Sequence, residues 1–371
     1  MAALRIFGIS LLLTAAALAL GYAHGGPNAL FLLIALAVLE VSLSFDNAII
    51  NAAVLQQMSP FWRRMFLTVG VLIAVFGMRL FFPLVIVWAT AGIDPVDAMK
   101  LALHPPPHGA LEFPDGSPSY EKLVISAHPQ IAAFGGIFLL MLFLDFVFYD
   151  RDIKWLKWIE IPFARIGRLG QVSVMVVGVV LALVGTQLTH SADERATVLT
   201  AGLLGLVTYL VVNGLSRAFR PSGAPAAPAG AAVGRAGLML FLYLEVLDAA
   251  FSFDGVTGAF AITSDPIVIA LGLGVVGSMF VRSITIFLVS QDALDRYVYL
   301  EHGAHWAIGV LAVIMLGSIE PRFQIPEVVT ALVGVVFVGA ALGWSVLRNR
   351  RNARAAAPEP ETTPETTPET T

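Results

Sequence analysis

Five carboxylates fall inside stretches apolar enough to cross a bilayer: Glu40, Asp46, Glu245, Asp248 and Asp254. An ionisable group at membrane depth is costly and marks an ion or substrate path. The two acidic stretches share a tripeptide, Ser44-Phe45-Asp46 and Ser252-Phe253-Asp254. In each, the Asp follows another acid by six positions, Glu40 before Asp46 and Asp248 before Asp254. Each stretch is followed, in the next apolar segment, by one Arg, Arg79 and Arg282. The two read as halves of one cation site, with Ser44, Ser252, Arg79 and Arg282 as supporting polar and charged groups.

The ligands on offer are carboxylates, hydroxyls and an amide. Such oxygen ligands suit Mn²⁺, Ca²⁺ or Mg²⁺ as the substrate ion. Neither motif contains His, Cys or Met, which argues against copper and weakly against zinc. Five ionised acids against two guanidinium groups leave a charge of −3, which one divalent ion reduces to −1. So much charge in a low dielectric favours protonating an acid when no ion is bound, a basis for exchanging protons against a cation. Structural acid–Arg pairing is the plainer reading; five acids in a repeated pattern weigh against it.

Helical spacing constrains how the site is built. Glu40, Ser44, Asn47 and Asn51 share one stripe, as do Glu245, Asp248, Ser252 and Gly255. Asp46 and Asp254 lie about 120° from the acids six positions before them, at about 100° per residue. One straight helix therefore cannot aim both of its acids at one ion. Two crossing antiparallel helices, or helices broken near Ser44 and near Gly255, would gather them.

The elements that must position these groups are membrane helices. The chain of 371 residues is 57% hydrophobic and 13% charged, against roughly 25% charged in soluble domains. It has no Cys, which removes disulfides, thiolate metal sites and thiol catalysis. The expected fold is an all-α membrane protein of about ten transmembrane helices, nine if the first is cleaved as a signal segment. Residues 1–27 hold that first helix or signal anchor, 28–91 the first acidic motif, and 92–128 a Pro-rich loop or small cap outside the membrane. Residues 129–216 carry helices four to six, with a basic aromatic stretch, 151–168, lying at the headgroups. Residues 217–236 form a Pro/Ala/Gly linker, 237–347 hold the second motif, and 348–371 end in disordered Pro-Glu-Thr-Thr repeats.

Basic residues orient the chain. With the N-terminus inside and ten spans, 16 of the 22 Lys and Arg fall inside and four outside, with Arg79 and Arg282 within spans. Both termini are then cytoplasmic, in a multi-pass protein of a bacterial inner membrane. The lipid bilayer and a metal ion are the expected partners; no nucleic acid is. The motifs lie five spans apart, so they run antiparallel, the mark of an inverted-topology repeat with a site near the midplane. Asp145, His302 and His305 read as interfacial groups, and His104, His108 and His128 as solvated loop residues.

The pattern Glu245-x-x-Asp248-x-x-Phe251-x-x-Asp254, continuing Ala259-Phe260-Ala261-Ile262-Thr263-x-Asp265-Pro266, resembles the second motif of TerC-like membrane proteins, including the Alx exporters. Glu40-x-Ser42-Leu43-x-x-Asp46-Asn47 resembles the first motif, with Arg63, Arg64, Arg79 and Arg282 in matching places. The likeness covers roughly residues 28–91 and 238–345. It implies export of a divalent cation, manganese(II) in particular, a historical association with tellurite resistance, and a metal site of Glu40, Asp46, Asn47, Glu245, Asp248 and Asp254. Asp145 and Ile314 stand where the family often has Lys, and Gly255 where Ser is usual. These departures resemble a less characterised, domain-of-unknown-function branch. The expected function is thus a secondary transporter exporting a divalent cation rather than an enzyme. The alternatives are an intramembrane aspartyl hydrolase using Asp46 and Asp254, which lacks a Gly-x-Gly-Asp stretch, or a membrane scaffold with a structural ion site.

Overall fold

The computed structural model describes residues 2–81, 84–85, 88, 92–106, 110–218, 232–260, 262–263 and 265–355. His108, most of the 217–236 linker and the Pro-Glu-Thr-Thr repeats lie outside the described residues. Among the described residues the fold is all-helical, with no strand. Seven helices are long and apolar enough to cross a membrane, or eight if one sharply bent pair counts as a span.

α1 spans Ala2–Leu43 but is broken at Gly25 and Gly26, where Gly26 takes φ 65° and Pro27 follows without an N–H. The break reverses the chain. On a straight helix residues 21 and 33 would lie about 18 Å apart, yet a methyl on Gly21 would sit 2.7 Å from Leu33 Cδ1. α2, Phe45–Gln57, follows after a single residue, Ser44. The C-terminal end of α2 is closed by Arg63, whose Nε donates to the Leu55 and Met58 carbonyls and whose guanidinium also reaches Gln56 O. Arg63 belongs to α3, Pro60–Met65, which starts with Pro in its first turn and continues as π-helical Phe66–Gly70 and Ile73–Phe81.

The Pro-rich region forms two short helices, α4 (Pro95–Leu103) and α5 (Tyr120–Ser126), capped by the Asp94 and Ser119 side chains. Ala98, Leu123 and Val124 close a small core with Leu84 and Ile131. α6, His128–Phe148, is the hub of the molecule: 14 of its 21 residues are buried. Within the stretch 151–168, α7 covers Lys157–Gly167, and it meets α8 (Val172–Gln187) at 101°. α9 (Ala192–Ala218) packs on α6.

The second half opens with α10, Gly234–Phe260, which holds all three of its motif acids on one unbroken helix. α11 (Pro266–Ile269) runs through a π-helical tract, Ala270–Gly277, into α12 (Ser278–Ser290). α13 (Ala293–Arg296), α14 (Leu300–Gly317) and α15 (Glu327–Ala355) complete the chain, with α14 between α6 and α15.

Candidate functional site

The site lies where α1, α2, α10 and the two π-helical spans meet. Ser44 breaks the helix between Glu40 and Asp46, and its hydroxyl donates to Glu40 Oε1 at 3.0 Å. Ser252 donates to Asp248 Oδ2 at 3.3 Å, at the same four-residue spacing. α10 shows no break at Gly255; a second kink is unnecessary because the chain crosses itself. Glu40 lies beside Gly255, and Asn47 bonds to Asp248, so one strand of contacts ascends as the other descends. The two motif helices therefore run antiparallel where they touch.

The neighbouring spans are parallel to the opposite motif. Trp62 and Phe66 lie against Phe241, and Gly70 lies against Glu245, in matching order along α3 and α10. Leu36 packs on Gly272, Glu40 on Gly277, and Ala48 O accepts from Thr285, in matching order along α1–α2 and α11–α12. Each of these acids thus occupies a notch made by a glycine of the other half. A methyl on Gly70 would lie 2.5 Å from Glu245 Oε1, and one on Gly277 would overlap the Glu40 stem.

The electrostatics are those of a donor-poor, acceptor-rich site. Asn47 Nδ2 donates to Asp248 Oδ1 at 2.9 Å, which turns the amide oxygen of Asn47 the other way. Asn47 Oδ1, Asn51 Oδ1 and both carboxyl oxygens of Glu245 are buried without a hydrogen bond among the described residues. Four buried acceptors without donors are costly unless a cation or proton meets them. Asn51, Gly70, Glu245, Asp248 and Arg282 line a cavity of about 20 Å³, room for a water-sized guest. Arg282 donates from Nε to Leu67 O at 2.7 Å and forms no ion pair among the described residues.

Asp46 is buried in the first turn of α2, where the helix N-terminus favours a negative charge, and it accepts from Asn47 N at 2.9 Å. Asp254 and Arg79 lie on helical backbone, but their side chains are outside the described set. Among the described residues no three His, Asp or Glu side chains converge as a ready metal cluster. Glu245 and Asp248, with the Asn47 and Asn51 oxygens, are what the described residues offer a cation.

The family model described as "Protein of unknown function (DUF475)" matches residues 45–352. The chain belongs to the DUF475 family. No curated protein and no solved structure matches it significantly. The DUF475 match takes in Asp46, Asn47 and every motif acid of α10, and it begins after Glu40 and Ser44.

Elsewhere in this DUF475 chain the structure adds to the sequence reading. His302 and His305, at the start of α14, are buried against other helices. His305 stacks on Phe146 at 3.7 Å, and His302 shares Glu160 with Trp306 Nε1 and the Trp155 and Leu156 amides. The sequence signal was there in part: Glu160 is an acid on the inward face of an amphipathic helix. Asp145 is half-buried and accepts from Tyr209 and Asn213, both on α9. His104 bonds to Lys100 O and His128 to Ser318. The glycines Gly70 and Gly277 were missed, because nothing in an apolar run distinguishes a notch from an ordinary small residue.

Proposed function

We propose that this chain is a secondary transporter that exports a divalent cation, manganese(II), through the α2–α10 site in exchange for protons. The observation that carries the reading is the group of four buried, donorless oxygens on Asn47, Asn51 and Glu245 beside Asp248. A small cavity that exposes carboxylate and amide oxygens among apolar side chains suits a hard divalent ion that keeps part of its water shell. The likeness of both motifs to TerC-like membrane proteins supports manganese(II) over calcium or magnesium.

The reading takes the chain as ten spans in an inverted-topology repeat. Ten follows when the two legs of α1 count separately and α8 and the acid-bearing α10 are added to the seven apolar helices. The contacts Glu40–Gly255 and Asn47–Asp248 support the repeat: aligned on Ser-Phe-Asp, Glu40 corresponds to Asp248 and Asn47 to Gly255, and an exchange of equivalent contacts is what a two-fold axis in the membrane plane generates. The charge bias supports a bacterial inner membrane with both termini in the cytoplasm. The proposed ligands are Asn47, Asn51, Glu245 and Asp248, with Glu40, Asp46 and Asp254 as the further acids of the two motifs.

The test is flux of Mn²⁺, Ca²⁺, Mg²⁺ and Zn²⁺ in proteoliposomes carrying an internal pH dye. Manganese movement coupled to a counter-flow of protons, lost in Asp248→Asn, is the expected result. Unchanged manganese flux in Asp248→Asn would sink the reading.

A further inference from the structure

A second cavity, which shares no lining residue with the one at the acidic site, opens where α14 begins and α15 ends. It measures about 210 Å³, against about 10–15 Å³ for one water, so it admits a group of several heavy atoms. Tyr299, Trp344, Leu347, Arg348, Arg351 and Asn352 line it. The walls are fixed: Ser345 is buried and its hydroxyl accepts from Tyr299 N at 3.0 Å, while Asn349 donates to Arg296 O at 2.8 Å. Trp344 is also held edge-on to Trp155 at 6.2 Å. The Arg348 guanidinium stands over the Tyr299 ring at 5.5 Å, and neither Arg348 nor Arg351 is ion-paired among the described residues.

The setting says what the cavity faces. The same α15 exposes Val328, Leu332, Val335, Val336 and Leu342 along its preceding turns, an apolar surface of the kind that meets acyl chains. The cavity begins where that surface stops, with Trp344 and Leu347 at its apolar edge and the arginines beyond. An aromatic rim followed by unpaired guanidinium groups is the chemistry of the headgroup layer.

We propose that this cavity binds the phosphate of an anionic phospholipid, clamped by Arg348 and Arg351, with Tyr299 and Trp344 at the level of the glycerol backbone. Guanidinium pairs hold phosphate oxygens through several parallel N–H donors. The acyl chains would then lie along the exposed face of α15. The site is independent of the cation reading and stands or falls separately.

Native mass spectrometry of the full-length protein in detergent, with added phosphatidylglycerol or phosphatidylcholine, tests it. The wild type should retain phosphatidylglycerol with about 30-fold preference over phosphatidylcholine, and Arg348→Ala with Arg351→Ala should erase that preference. Arg350→Ala with Arg354→Ala removes the same charge from the same helix end, outside the cavity, and should leave most of it. An equal loss in both pairs would mean diffuse charge and overturn the proposal. So would displacement of phosphatidylglycerol by inorganic phosphate alone. Arg348→Lys with Arg351→Lys keeps the charge and should keep binding; if the alanine pair unfolds, failure of the lysine pair to prefer phosphatidylglycerol over phosphatidylcholine overturns the proposal on its own.

Discussion

Asn47 Nδ2 donates to Asp248 Oδ1 at 2.9 Å across 201 residues of chain. This bond ties the first acidic motif to the second, and both partners are buried. Asn47→Ala leaves a buried carboxylate short of a donor, a loss of about 1–3 kcal/mol. We expect a lower unfolding temperature and manganese flux reduced at least tenfold. Asn47→Asp sets a carboxylate against a carboxylate and should be worse. A melting curve and a proteoliposome flux on the same preparations check both.

The glycine notches give a sharper test, because the substitutions add one methyl and no charge. Gly70→Ala and Gly277→Ala push Glu245 and Glu40 from their seats, and overpacking of this kind costs about 1–3 kcal/mol. Gly178→Ala meets nothing within 4 Å, so it should be neutral or stabilise α8 by about 0.5–1 kcal/mol. If Gly70→Ala and Gly277→Ala melt and transport like Gly178→Ala, the notches have no functional weight.

Arg63 closes the C-terminal end of α2 with three carbonyl contacts. Arg63→Ala should destabilise by about 1–3 kcal/mol. Arg63→Lys should recover little, since one ammonium cannot reproduce a planar fork. Hydrogen exchange should localise the damage to the last turn of α2, residues 54–57, before global unfolding.

Manganese(II) should stabilise the wild type. At about one hundred times its dissociation constant a ligand adds about 2.7 kcal/mol, enough to read as a clear rise in unfolding temperature. Glu245→Gln and Asp248→Asn should abolish that rise. A shift of equal size in both variants would place metal binding elsewhere.

Much of the site was legible before any coordinates. The four-residue spacing of Glu40 with Ser44 and of Asp248 with Ser252 emerges as hydrogen bonds, and the chain breaks at Ser44, one of the two arrangements that helix phase allows. The expected alternative break near Gly255 is absent, because Gly255 serves close approach to Glu40 instead. Periodicity says that a small residue is tolerated, not which partner approaches it. The partners of His302 and His305 were hidden for a related reason. Their position at a helix start says nothing of α7, which folds back over them and supplies Glu160, a tertiary contact across 142 residues. The fold-back of α1 at Gly25 and Gly26 was legible as two apolar runs separated by a Gly-Gly-Pro stretch.

The reciprocal notches also bear on how the protein is made. Glu40 leaves the ribosome 237 residues ahead of Gly277, whose notch it fills, an interval of roughly 10–50 s at ordinary synthesis rates. Through that interval the acid has its Ser44 bond but not its Gly277 notch. Glu245, by contrast, emerges when the Gly70 notch is already in place. Truncations after α9 leave Glu40 without that notch and should be cleared by quality control rather than accumulate as half-proteins.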